Sequence, residues 1–208
     1  MQTILNFLIK ALVLCTAFPV HEFAHAWTAD KLGDHTARYQ GRLTLNPAAH
    51  IDLWGAIIMV LLGFGWAKPV PVNPNNFKNP KVGMAITSLA GPASNLIMAY
   101  FAMIIYKLLY YTIGGTAFAT VFLYIMVLNV GLAVFNLIPI PPLDGSRIAT
   151  VFMSEKTYFK IMQYERYIFI GLIVVVYSGL LDIPLDYLKN LVIKVMNFLT
   201  GFIDMVLA

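Results

Sequence analysis

The apolar residues of this chain lie in long blocks separated by short polar windows. Four blocks match or approach the roughly 20 residues with which a helix crosses a bilayer: Ile4 to Trp27, Val82 to Tyr111, Thr116 to Ile138 and Tyr167 to Ile183. A fifth, Leu53 to Trp66, is only about 14 residues long and carries Gly55, Gly63 and Gly65, so it reads as a re-entrant or short tilted segment. Leu185 to Ala208 is apolar but broken by Lys189, Lys194, Asn197 and Asp204, which suits an interfacial amphipathic helix or a weak last span. Between the blocks lie Asp30 to Asp52, the Pro/Asn-rich Ala67 to Lys81 and the mixed-charge Arg147 to Arg166. The pattern predicts an all-α polytopic bundle with four firm transmembrane helices. Residues 1–208 read as a single membrane domain, without repeats or room for an appended soluble domain.

Composition agrees. The chain is 60% hydrophobic and 12% charged with a mean hydropathy of +0.76, against about 45–50% apolar and ~25% charged in soluble domains. From Gly83 to Leu143 the one acidic or basic residue is Lys107, near the end of a span. A net charge of +4 fits positive loops beside lipid headgroups. No basic run is interleaved with stacking aromatics, which argues against nucleic acid as a partner. Cys15 stands alone, so no internal disulfide forms, and its mid-segment place suggests a small buried apolar role. The first apolar run is too long for a signal-peptide core and lacks a small-x-small cleavage site, and bulky Leu14 before Cys15 argues against lipoprotein processing. The first segment is expected to stay.

The strongest chemical signal is His21-Glu22-Phe23-Ala24-His25, near the end of the first block. Residues four apart share a helix face, so both imidazoles can hold one Zn²⁺ while Glu22, one step round, reaches the water that the metal activates. The chemistry of that set is peptide hydrolysis. The bland alternative is a chance match, but two imidazoles and a carboxylate within five residues of a membrane helix need a common partner, and charged groups there cost at least ~2.5–3.5 kcal/mol each.

A catalytic zinc takes three protein ligands and leaves a fourth position open. His35, His50, Asp52 and Asp144 are candidates for the third. Asp144 ends Asn136-Leu-Ile-Pro-Ile-Pro-Pro-Leu-Asp-Gly145, whose three prolines stop the preceding span; in a soluble protein it would read as a turn cap with Gly145. His50 reads somewhat better as a surface histidine than as a substrate or supporting residue.

His21 to His25 on a first span, Gly91-Pro-Ala-Ser-Asn95, and Asn136 to Gly145 together resemble the site-2 protease family of intramembrane metalloproteases, over about residues 15 to 148. The resemblance implies that His21, His25 and Asp144 bind one zinc ion, that Glu22 is the general base, and that Asn136 holds substrate backbone or the oxyanion. It also implies a transmembrane-protein substrate cut within the bilayer. From the residues alone, Asn136 is equally suited to an interhelical hydrogen bond, and Asn95 suits one better, since Ser88, Gly91 and Ser94 make a close-packing face. Gly41 to Asp52 and Gly65 to Pro74 resemble a compact branch of the family without PDZ or CBS domains. The alternating Val/Pro stretch from Lys68 to Asn73 reads as an edge strand for an extended substrate or as a rigid surface loop.

Geometry limits the topology. If Leu53 to Trp66 crossed fully, the histidine pair and Asp144 would lie on opposite sides of a ~30 Å core and would share no metal. If it dips and returns, Lys31, Arg38, Arg42, Lys68, Lys78, Lys81, Arg147, Lys156, Lys160 and Arg166 gather on one face, which the positive-inside rule makes cytoplasmic, in the cell membrane. Two other functions are compatible with such a sequence. A metal transporter would want further polar ligands at several depths, which the later spans lack; a silent membrane-binding relative would not need Glu22.

Overall fold

A computed structural model describes residues 11, 13–62 and 68–207. The start of the predicted first span, the end of the Leu53 to Trp66 block and the terminal Ala208 lie outside the described residues. Those described are helical, with no strand among them: a π-helical turn at Val13–Ala17 leads into α1 (Phe18–Lys31), followed by α2 (Thr36–Tyr39), α3 (Pro47–His50), α4 (Leu53–Leu62), α5 (Pro80–Ile113), α6 (Ala117–Asn136), α7 (Asp144–Ala149), α8 (Glu155–Gln163), α9 (Glu165–Tyr177), α10 (Asp182–Leu199) and α11 (Gly201–Leu207). Two of these, α5 and α6, are long and apolar enough to cross a membrane.

The predicted span Tyr167 to Ile183 is not one straight helix. It stops at Tyr177, and α9 passes the length test only together with α10, from which it is bent by 84°. Gly179 supplies the reason: it takes a left-handed φ of +73° between the two helices, where a β-carbon would be strained. Cys15 is exposed, not buried as its mid-segment position suggested.

The chain forms two compact units, residues 1–94 and 95–208. In the first, α1 ends in a Schellman motif. Gly33 has φ +107°, its N–H bonds the Asp30 carbonyl (3.2 Å), and the Asp34 N–H bonds the Ala29 carbonyl (2.9 Å). The buried Asp34 carboxylate then accepts from the Thr36 and Asn73 amides and from the Asn76 side chain. Ala29, Phe77 and Met84 form a small core there, with Leu32 and Val72 against it. The Lys68 N–H donates to the His50 carbonyl at 2.8 Å, so the two flanks of the short apolar block meet each other.

The second unit is built on apolar packing. Ala99, Ala102 and Met103 of α5 meet Met126, Val130 and Val134 of α6, and Met196 of α10. Leu185, Val192 and Ile193 join from α10 at helical spacing, which gives the interrupted C-terminal block an amphipathic helix with a buried stripe. Lys107 is buried and ion-paired with Asp204 of α11, and Tyr111 donates to the same carboxylate.

Candidate metal centre

His21, Glu22 and His25 stand on the buried side of α1, between 4% and 9% exposed. The helical repeat brings the two imidazoles edge to face with their Nε2 atoms 3.0 Å apart. His25 Nδ1 donates to the Thr87 carbonyl at 2.7 Å. A carbonyl accepts only, so the His25 proton sits on Nδ1 and Nε2 presents its lone pair towards His21. That is the tautomer a metal requires, held by the kind of backbone contact that orients ligating histidines. Two nitrogens each about 2.0–2.1 Å from one tetrahedral zinc lie about 3.3 Å apart, close to the observed separation. The donor set therefore fits a metal on the Nε2 side.

The Gly91-Pro-Ala-Ser-Asn95 motif makes this geometry possible. A β-carbon at Gly91 would run into the rings of both His25 and His21. Pro92 lies inside α5, where it offers no N–H to the Ser88 carbonyl four residues back; the neighbouring Thr87 carbonyl accepts from His25. Glu22 is held from another direction, its Oε2 accepting the Val70 N–H at 3.0 Å. Sequence reasoning missed the roles of the Thr87 carbonyl and the Val70 amide; it placed Gly91 on a close-packing face but not against the two imidazoles. A glycine followed by proline inside an apolar span was the one legible signal.

The other candidate ligands in the first unit each make a contact of their own. His35 and Arg38 both bind the Asp30 carboxylate, at 2.8 and 2.5 Å. Burial alone would raise the Asp30 pKa, but these two partners outweigh it and hold the carboxyl below its ordinary value. Asp52 accepts the Gly55 N–H and starts α4. His50 corrects its reading as a surface residue: it is 1% exposed and donates from Nε2 to the Thr44 carbonyl at 2.7 Å. Asn46 caps α3 by accepting the Ala48 N–H. The Lys68 to Asn73 stretch is extended, with the Lys68, Val70 and Asn73 amides all spent inside the unit.

In the second unit Asp144 opens α7 directly after the proline-bounded turn and is half-buried. Gly145 is required where it stands, since a β-carbon there would strike the backbone of Leu137 and Ile138. Asn136, at the end of α6, donates to the Leu132 carbonyl of its own helix at 3.0 Å, so its side-chain amide makes an intrahelical bond rather than an interhelical one. Asn95 does bridge helices, donating to Asn129 Oδ1 of α6 at 2.7 Å.

Comparison with known proteins gives a consistent set. The model of peptidase family M50 matches residues 112–178, which include Asn136 to Gly145. The protein named "Putative zinc metalloprotease YwhC" of Bacillus subtilis is 41% identical over 172 residues, covering 78% of this chain and 77% of its own. Rip2 of Mycobacterium tuberculosis is 32% identical over 61% of this chain, which spans only half of that relative's length. MJ0611 of Methanocaldococcus jannaschii is 30% identical, covering 70% of this chain and 71% of its own. Both carry the same description as the Bacillus protein. No solved structure matches.

Proposed function

The chain belongs to peptidase family M50, the site-2 protease family of membrane-embedded zinc metalloproteases, and from that membership we propose that it cuts the transmembrane segment of a membrane-protein substrate with one zinc ion held by His21, His25 and Asp144. The observation that carries the reading is the buried imidazole pair, with one ring fixed in the ligating tautomer by Thr87. Asp144 is the third ligand in this reading because it lies in the Asn136 to Gly145 motif, within the residues that match the family model.

The chemistry a bound zinc supplies is Lewis acidity towards water and the scissile carbonyl. Glu22 takes a proton from the attacking water on one carboxylate oxygen and delivers it to the leaving amine. His21 and His25 would hold the metal through Nε2, and the Thr87 carbonyl keeps the His25 proton on Nδ1. Asn136 holds substrate backbone or the developing oxyanion. Burial of all three α1 side chains keeps bulk water from the reacting groups.

In this proposal residues 1–208 act as one membrane domain with four spans. Leu53 to Trp66 is re-entrant, a reading supported by the bond between its flanks at His50 and Lys68. The basic windows face the cytoplasm and the protein sits in the cell membrane. The test uses the full chain in proteoliposomes, with a single-span probe protein carrying Asn and Pro in the middle of its apolar stretch. Parent protein should release the probe's two halves. Glu22→Gln should retain zinc and leave the probe whole, and proteolysis by a well-folded, zinc-loaded Glu22→Gln variant would sink the assignment.

A further inference from the structure

The stretch Lys68-Pro-Val-Pro-Val-Asn73 has an unusual supply of hydrogen-bond donors. Pro69 and Pro71 carry no N–H, so between residues 69 and 71 the backbone offers a single amide proton, that of Val70. That proton goes to Glu22 Oε2 at 3.0 Å. The stretch is pinned on both sides of this contact. Upstream, Lys68 gives its N–H to the His50 carbonyl (2.8 Å) and takes a bond from the buried Arg42 guanidinium on its own carbonyl (2.6 Å). Downstream, Val72 packs against the Ala29, Phe77 and Met84 core, and the Asn73 N–H donates to buried Asp34 at 2.7 Å.

Resting on the reading of Glu22 as the base, we infer that the Val70 backbone amide is a positioning group for Glu22, and that the Lys68–Asn73 strap is built to deliver it. A glutamate side chain has several rotamers, and a base must be held where it meets the proton it removes. A donor fixed on Oε2 orients the carboxylate plane and leaves Oε1 to receive that proton. The anchors at Arg42, His50 and Asp34 lie outside the reacting groups and set where the amide stands. The two prolines then do two things: they stiffen the strap, and they remove neighbouring donors that would compete for the same carboxylate. The contact is made by the backbone N–H, so the requirement falls on the amide.

The test replaces Val70 in the full chain by its α-hydroxy acid analogue, which deletes the N–H and keeps the side chain. The readout is kcat and KM for a fluorogenic single-span peptide with Asn and Pro in mid-span, with zinc content measured alongside. The ester should lower kcat by about 10- to 100-fold, the range for a bond to a charged acceptor, with KM and zinc content at parental values. Independently of turnover, the Val70 amide resonance in ¹⁵N-valine-labelled, metal-free protein should shift when Glu22→Gln removes the acceptor's charge. Parental kcat in the ester, an increase in kcat, loss of zinc with a raised KM, or a Val70 resonance indifferent to Glu22→Gln would each overturn the inference. Failure of the underlying reading looks different: Glu22→Gln would then cleave the peptide like the parent, while the amide resonance would still report the contact.

Discussion

Residues 1–94 and residues 95–208 bury polar groups in opposite ways. In the first unit the buried polar side chains form connected sets that end on backbone: Asp34 gathers residues 36, 73 and 76, Arg42 takes the Lys68 carbonyl, His25 takes Thr87, and Glu22 takes Val70. In the second unit the long-range contacts run between helices within apolar packing, Asn95 with Asn129 and Asp204 with both Lys107 and Tyr111, while Ser146, Thr150 and Thr200 bond carbonyls three or four residues back. A connected set fixes the direction of each member, which chemistry needs; an isolated pair holds two helices in register. Substitutions in the first unit should therefore register in metal binding and turnover, and those in the second in stability. Asp144 is the proposed exception, a residue of the second unit whose loss should read as function.

The largest effect tests that exception. Asp144→Ala should lose most of its zinc under mild chelation, while Asp52→Ala and His35→Ala hold it, because removing a ligand acts on the metal directly. Zinc stoichiometry after a common chelator wash decides; retention by Asp144→Ala with loss from either of the others would move the third ligand.

Next in size is Gly91→Ala, whose added methyl meets both imidazole rings. Displacing the rings should weaken zinc binding by about 10- to 100-fold, the range for lost support of a ligand. Gly171→Ala in α9 is the control, since a β-carbon there meets nothing within 4 Å. It should leave zinc affinity and turnover at parental values and raise helix stability slightly. Equal zinc affinity for Gly91→Ala and parent would break the comparison from the first-unit side.

Smaller still, Asn129→Leu should remove the acceptor of the Asn95 bond and lower stability by about 0.6–1.7 kcal/mol, with zinc content and kcat unchanged. Unfolding in detergent, followed by helix signal beside a turnover assay, separates the two readouts. A large loss of kcat at parental stability would show that the second unit's pair serves the reaction.

The smallest effect is on acid stability. Burial alone would raise the Asp34 pKa, but donors from Thr36, Asn73 and Asn76 outweigh it and hold the carboxyl below its ordinary value. A depressed carboxylate contributes stability that is complete above its unfolded pKa of about 3.9 and is lost as pH falls through the lowered folded value. Hydrogen exchange at the Asn73 amide should quicken, beyond its intrinsic pH trend, as pH falls from about 3.9 through the lowered folded value, and Asp34→Asn should abolish the transition.

Much of this was readable from local pattern. Block length gave α5 and α6 as spans, because hydrophobic length is a local property. His21, Glu22 and His25 shared a buried helix side as four-residue spacing requires, and Asn95 bridged helices as the small residues beside it suggested. The straight span at Tyr167 to Ile183 failed on one glycine, since hydropathy averages over a window and does not register a single left-handed φ. His50 was misjudged for a related reason: a polar residue beside a loop can point either way, and the partner that decides, the Thr44 carbonyl, is found in three dimensions.

The sequence by itself determined which blocks are long and apolar enough to cross a membrane at α5 and α6 and which side chains share the buried turn of α1, because both follow from helical period and hydrophobic length. Only the tertiary structure decided the groups that hold those side chains: the Thr87 carbonyl, the Val70 amide and the space left by Gly91. Two of these are backbone atoms that every residue possesses, and the third is an absence of atoms. No residue type announces the two backbone groups, glycine does not say which rings it admits, and folding alone brings the three to His25, Glu22 and His21.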